Sequence, residues 1–189
     1  MIMSDVIRSF IAVPIEVSPS LRALIHQLGS LGRPLKAVDT GHLHLTVKFL
    51  GETPWTVLPE VTAVIEAEVR QLASFQAEIT GLGAFPDARR ARVVWCGLSP
   101  NGPLPELAAR LNDRLGELGF PREQRTFQPH VTLARVKGRP PRGLASVLDQ
   151  HEATTFGGQL IDRVVFYQSE LTPTGPRYTI LSEQLFECG

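Results

Sequence analysis

Two stretches of the chain follow one pattern. His44-Leu45-Thr46-Val47 and His130-Val131-Thr132-Leu133 both read His-apolar-Thr-apolar, and almost half of the 189 residues separate them. Each sits in a longer alternating segment, HLHLTVKFL from His42 and PHVTLARV from Pro129. Successive side chains of a strand point to opposite faces. His and Thr therefore share one face in each stretch, while Leu45, Val47, Val131 and Leu133 share the other. An apolar face has to be covered, so these are half-buried strands of a sheet. Laid side by side, they would line a polar cleft with two imidazoles and two hydroxyls.

The rest of the chain says what kind of sheet this is. Arg8 to Ile15, RSFIAVPI, is β-branched and aromatic and predicts a first strand. Ser18-Pro19 offers an N-cap followed by proline at the first helical position. Leu21, Leu24, Ile25 and Leu28 follow at helical spacing, and Gly29 and Gly32 close the segment. The same spacing predicts helices from about Pro54 to Leu72, along Leu104 to Leu118, and briefly through Leu144, Val147 and Leu148. Further strands are expected at Phe75 to Ile79, Arg92 to Leu98 and Phe127 to Val136. A pair, Ile161 to Leu171 and Tyr178 to Phe186, should flank a turn at Pro173 to Pro176. Short strands interleaved with four helices predict an α+β fold with antiparallel sheets, not a parallel βαβ array. No linker divides the chain, so residues 1–189 are expected to form a single domain.

Composition narrows the class. Hydrophobic residues at 43% and charged residues at 20% exclude a disordered chain and permit a core without disulfides. Cys96 and Cys188 form no CxxC motif, which suits a reducing cytoplasm. The opening MIMSDVIRSFIAVPI has no charged lead into a long apolar run and cleavage site, so it is expected to be a strand, not a signal peptide. No apolar run is long enough to span a membrane.

Two imidazoles in one cleft suit general acid–base catalysis near neutral pH. One can take a proton from water while the other gives one to a leaving group. Two threonine hydroxyls can donate to the non-bridging oxygens of a phosphate. A cyclic phosphodiester matches this equipment, with one electrophilic phosphorus and one leaving oxygen. If these donors carry the developing charge, no metal is needed.

HLHLTVKFLG and PHVTLARV resemble the two signature motifs of the 2H phosphoesterases. More narrowly, they are similar to the LigT-like RNA 2′,3′-cyclic phosphodiesterases, also called 2′-5′ RNA ligases. RSFIAVPI resembles that family's first strand, RVVWCGL its central strand, and the stretch from VVFYQSEL to GPRYTIL its end. The resemblance implies a pseudo-symmetric, bilobal fold with two antiparallel sheets facing a central cleft and helices outside. Two intertwined lobes would each supply one motif, His44-x-Thr46 and His130-x-Thr132. It implies metal-independent, cofactor-free opening of a 2′,3′-cyclic phosphate on RNA or a nucleotide to the 2′-phosphomonoester. By resemblance His44 is the general acid and His130 the general base, with Thr46, Thr132 and Arg135 on the phosphate. The motifs are near-symmetric, and the reverse reaction would swap the two roles. Reversal on RNA halves would be 2′-5′ ligation. Another 2H-type cyclic phosphodiesterase and a non-catalytic RNA-end binder are the further alternatives. No P-loop or obvious adenylated lysine points to ATP-driven joining. A monomer is expected, because one chain completes the cleft.

Several residues keep two readings. Arg135 lies five residues from His130, so an undistorted strand turns it away from the phosphate unless a bulge re-aims it. Lys48 shares the parity of His44 and would face the cleft mouth or solvent. Phe10 is either a base-stacking contact or core. Trp95 reads as core, Pro129 as a strand-entry restraint, and His26 and His151 as helical surface residues. His42 and His44 with His130 could be imagined as a zinc site, although local hydrogen bonding suits His42 better. The balance of nineteen basic and nineteen acidic residues argues against a whole-molecule grip on nucleic acid. That zero hides a pattern. Six basic residues stand against Glu123 between Arg122 and Arg142, with Arg89, Arg90 and Arg92 as a second knot. Acids dominate from Glu52 to Asp87 and from Asp149 to Glu187. A basic rim beside His130 would attract an RNA phosphate backbone, with an affinity that falls with salt.

Overall fold

A computed structural model describes residues 5–173 and 175–187. Met1 to Ser4 of the opening segment, Thr174 of the expected turn, and Cys188 lie outside the described residues. The elements run β1 (Val6–Pro14), α1 (Pro19–Ser30), β2 (Leu35–Ala37), β3 (His44–Pro54), α2 (Leu58–Val69), β4 (Phe75–Phe85) and β5 (Val93–Ser99). They continue with α3 (Leu104–Glu117), β6 (His130–Val136), α4 (Leu144–Gln150), β7 (Thr155–Ile161), β8 (Arg163–Thr172) and β9 (Gly175–Leu185).

The helix signals act as written. Ser18 accepts from the Leu21 amide at 3.1 Å, and Pro19 occupies the first turn of α1. Leu21, Leu24, Ile25 and Leu28 are its buried stripe. α3 buries Leu104, Leu107, Ala108, Leu111 and Leu115, the residues its spacing selected. α2 is shorter than expected. β3 continues through Pro54, and a turn of 3-10 helix at Trp55–Val57 comes before Leu58. β6 starts at His130 and not at Phe127. Pro129 has no amide hydrogen to give a ladder, which is a reason for pairing to begin after it. β7 had no expected strand, because its Gly157-Gly158 pair interrupts the alternation.

All nine strands join one sheet in the order β7-β4-β5-β6-β3-β1-β8-β9, with β2 also on β6. Every named strand pair is antiparallel. The expected pair of sheets is therefore one curled surface. Its two sides, β7-β4-β5-β6 and β3-β1-β8-β9, meet where Leu45 pairs with Val131. Chain order weaves the sides together. β1 and β3 build one, β4 to β7 build the other, and β8 and β9 return to the first. Leu45, Val131, Leu133 and the buried stripes of α1, α2 and α3 belong to one continuous apolar cluster. Helices thus cover the face carrying Leu45 and Val131, and the opposite, concave face carries the histidines.

Candidate active site

The central pairing decides how the two motifs meet. Leu45 and Val131 are neighbours in antiparallel register. One residue further along in either direction, that register sets His44 opposite Thr132 and Thr46 opposite His130. Leu45 and Val131 are fully buried, while all four polar residues are half-exposed on the other face. The alternation predicted from sequence therefore holds through both motifs.

Both histidines are anchored in the same way. His44 Nδ1 donates to the His42 carbonyl at 2.7 Å, and His130 Nδ1 donates to the Gln128 carbonyl at 2.7 Å. A carbonyl only accepts, so each neutral ring carries its proton on Nδ1. Each Nε2 is then the nitrogen free to exchange a proton. His42 acts through this carbonyl and through its own ring, which meets Tyr178 edge-on at 5.4 Å. Among the described residues no group of three or more His, Cys, Asp or Glu side chains is arranged to hold a metal ion.

Aromatic rings hold the imidazoles. His44 lies 4.9 Å from the Phe10 ring and 5.3 Å from the Tyr178 ring. Tyr167 stacks on the far side of Phe10 at 5.2 Å. His130 meets Phe85 edge-on at 5.2 Å, and Phe85 stacks on Trp95 at 5.0 Å. Phe10 is only 3% exposed, so it supports His44 from below and has no free face for a base. Trp95 is not core. It pairs with Thr132, lies on the concave face and crosses Gly83, where a Cβ would meet its ring at 2.3 Å. The sequence assigns Tyr178, Tyr167 and Phe85 no place in the site. Tyr178 reaches His44 only because the sheet curls, which no local pattern encodes.

Two bulges explain the residues that parity misplaced. In β3, Ile11 pairs with Lys48 and Ala12 with Thr46, leaving Val47 as an extra residue. In β6, Val94 pairs with Ala134 and Trp95 with Thr132, leaving Leu133 extra. Each bulge moves the following residues to the opposite face. Lys48 accordingly turns into the helix-covered side. It is 6% exposed and donates to Asn112 Oδ1 at 2.8 Å and the Pro121 carbonyl at 2.9 Å. It is neither a cleft residue nor a solvated lysine, and burial lowers its pKa. Arg135 makes the reverse move and returns to the face of His130, as its pairing with half-exposed Val93 shows.

Arg135 also acts on the site through space. Burial lowers the His44 pKa, the bond to the His42 carbonyl opposes this, and the Arg135 charge lowers it further. Burial likewise raises the Tyr178 hydroxyl, with Arg135 opposing. Cys96 faces the core, where burial pushes its thiol up to about 12, so it is no nucleophile. His26 is exposed on α1 as expected. His151 is not a surface residue. It follows α4 with Nδ1 at 3.2 Å from Thr154 Oγ1 and its ring against Phe156.

Residues 15–172 match the family description 2′-5′ RNA ligase superfamily. This chain belongs to that superfamily. Among 2′-5′ RNA ligase superfamily relatives, an RNA 2′,3′-cyclic phosphodiesterase of Thermotoga maritima is 33% identical over 184 residues, covering 96% of this chain and 97% of its own. The crystal structure of a Thermus thermophilus protein superposes with a TM-score of 0.78 at 30% identity, covering 96% of this chain and 98% of that one. Escherichia coli LigT complexed with 3′-AMP superposes with a TM-score of 0.72 at 25% identity, covering 96% and 98%. The α+β, LigT-like fold expected from the two motifs is thus the fold of this superfamily member. No helix among its described residues is long and apolar enough to cross a membrane.

Proposed function

We propose that the chain is an RNA 2′,3′-cyclic phosphodiesterase that hydrolyses the cyclic ester to a 2′-phosphomonoester without a metal. The carrying observation is the pair of adjacent His-x-Thr strands, each with its Nδ1 bonded and its Nε2 free. In the reaction, water attacks phosphorus in line with O3′. A water O–P bond forms as the P–O3′ bond breaks. His130 Nε2 takes the water proton, and protonated His44 Nε2 gives its proton to O3′. Thr46, Thr132 and Arg135 hold the non-bridging oxygens, with Arg135 offering a two-point guanidinium contact. Paired strands set where these donors stand, so they are placed to stabilise charge as it develops. Solvent then resets both rings.

In this reading residues 1–189 act as one domain of two interwoven lobes, as a monomer in the cytoplasm. The weave of β1, β3, β8 and β9 around β4 to β7 supports the lobe division. With an RNA 5′-hydroxyl in place of water, the same steps join it to the cyclic end: an O5′–P bond forms as the P–O3′ bond breaks, His130 Nε2 takes the hydroxyl proton, His44 Nε2 protonates O3′, and a 2′-5′ linkage results. His44→Ala and His130→Ala should each lower hydrolysis of a 2′,3′-cyclic nucleotide by about 10²–10⁴-fold with folding retained. Full activity in either variant would overturn the proposal. Incubating RNA halves that end in cyclic phosphate and 5′-hydroxyl reads the balance between hydrolysis and ligation.

A further inference from the structure

The reaction uses one phosphate, but the sheet carries a second phosphate-like environment beside it. β4, β5 and β6 end together just past Phe85, Val93 and Arg135. Beyond those ends lies a groove of about 410 Å³ lined by Pro86, Arg89, Arg90, Arg92, Gly138 and Arg139. Backbone bonds fix its walls. The Arg92 amide donates to the Phe85 carbonyl at 2.7 Å, and the Val136 amide donates to the Arg92 carbonyl at 2.9 Å. Phe85, which touches His130, and Arg135, which faces the cleft, therefore adjoin the groove through consecutive residues.

The four guanidiniums are not equally committed. Arg90 Nε and Nη2 both donate to Asp87 Oδ2, at 2.9 and 2.7 Å. Arg92 Nη1 donates to the Gly138 carbonyl at 2.9 Å. These two build the walls. Arg89 and Arg139 have exposed side chains with no hydrogen bond or ion pair to other described residues. Among the described residues Asp87 is the one carboxylate bonded to any of these four guanidiniums, and it is bound to Arg90, so the groove keeps a positive excess.

We propose that this groove binds a backbone phosphate of the RNA strand on the 5′ side of the reacting nucleotide. Arg89 and Arg139 are the contacting residues. The inference rests on the proposed cyclic phosphodiesterase reading. In a cyclic-phosphate end, everything beyond the terminal nucleotide lies toward its 5′ side. A strand leaving the cleft past Arg135 meets the groove next. Guanidiniums grip phosphate oxygens without reading a base, so the contact would favour length and not sequence. It makes oligoribonucleotide ends better substrates than mononucleotides.

The test compares a 2′,3′-cyclic mononucleotide with a short oligoribonucleotide ending in the same cyclic phosphate. The wild type should show a higher kcat/KM on the oligonucleotide, with the advantage shrinking as salt rises. In Arg89→Ala/Arg139→Ala, KM for the oligonucleotide should rise about tenfold. Its salt slope should flatten by about 0.7 for each phosphate that is no longer neutralised. Mononucleotide turnover should stay unchanged. Arg70→Ala/Arg163→Ala removes the same charge elsewhere and should leave the oligonucleotide advantage intact. No oligonucleotide preference in the wild type would overturn the inference, as would full preference in the groove variant or an equal loss in the control. Loss of mononucleotide turnover in the groove variant would do so too. Failure of the wild type on both substrates would instead overturn the cyclic phosphodiesterase reading itself.

Discussion

His44 and His130 have nearly the same sequence context and the same Nδ1 anchor, but different surroundings. His44 is packed by Phe10 and Tyr178, and burial, aided by the Arg135 charge, holds its pKa below the ordinary value of 6.5. If His44 is the acid, it must be protonated to work. A lowered pKa means that protonated form is lost at a lower pH than for an ordinary histidine. kcat/KM, which reports the free enzyme, should therefore fall as pH rises through a value below 6.5. Arg135→Gln should move that falling limb to higher pH while reducing the maximal rate. A limb that stays in place would contradict the assignment of His44 as the acid. Thr46→Val and Thr132→Val should each lower kcat, by up to about 10²–10³-fold where the hydroxyl meets the transition-state charge. The four motif residues were legible because a two-residue period is local. The aromatic packing was not, since Tyr178 comes from a strand on the far side of β1 and β8.

The two bulges show where reading a strand from its parity stops working. Val47 and Leu133 occupy equivalent places, each one residue past the motif threonine. Alternation before them was read correctly, and Lys48 beyond them was not. Nothing in VKFL or LARV marks the extra residue, because a bulge is imposed by the partner strand and the curl of the sheet. The misplaced Lys48 has a role in the site's support. It ties β3 to Asn112 of α3 and to Pro121, and Asn112 holds Glu123 through two bonds in the approach to β6. Lys48→Met would leave the Asn112 and Pro121 oxygens without this donor, at a cost of about 2 kcal/mol read by denaturant unfolding. An unchanged midpoint would contradict that role. Gly83→Ala places a methyl inside the Trp95 ring position. It should destabilise by about 1–3 kcal/mol and lower kcat by releasing the ring stack on His130. A variant with normal stability and rate would show that Trp95 has room to move. Helices were the most legible elements, because Ser18-Pro19 and the leucine stripe of α3 state their ends and faces directly.

The molecule as a whole is one woven antiparallel sheet with its helices on the far side from the histidines. That arrangement leaves a concave, partly aromatic surface with Arg135 on it and the arginine groove at its rim. The zero net charge of the chain therefore hides a local basic excess. Basic side chains gather past the ends of β4, β5 and β6, while acids are spread over other segments. The family resemblance implies two facing sheets, and the difference lies in one residue pair, Leu45 with Val131, which fuses them. That junction brings the two motifs into one site, whose chemistry is open to direct test. Product analysis on a 2′,3′-cyclic nucleotide, run with and without excess EDTA, tests it most directly. The expected product is a 2′-phosphomonoester, formed at the same rate in both. A predominantly 3′-phosphate product, or activity lost to EDTA and restored by zinc, would contradict it.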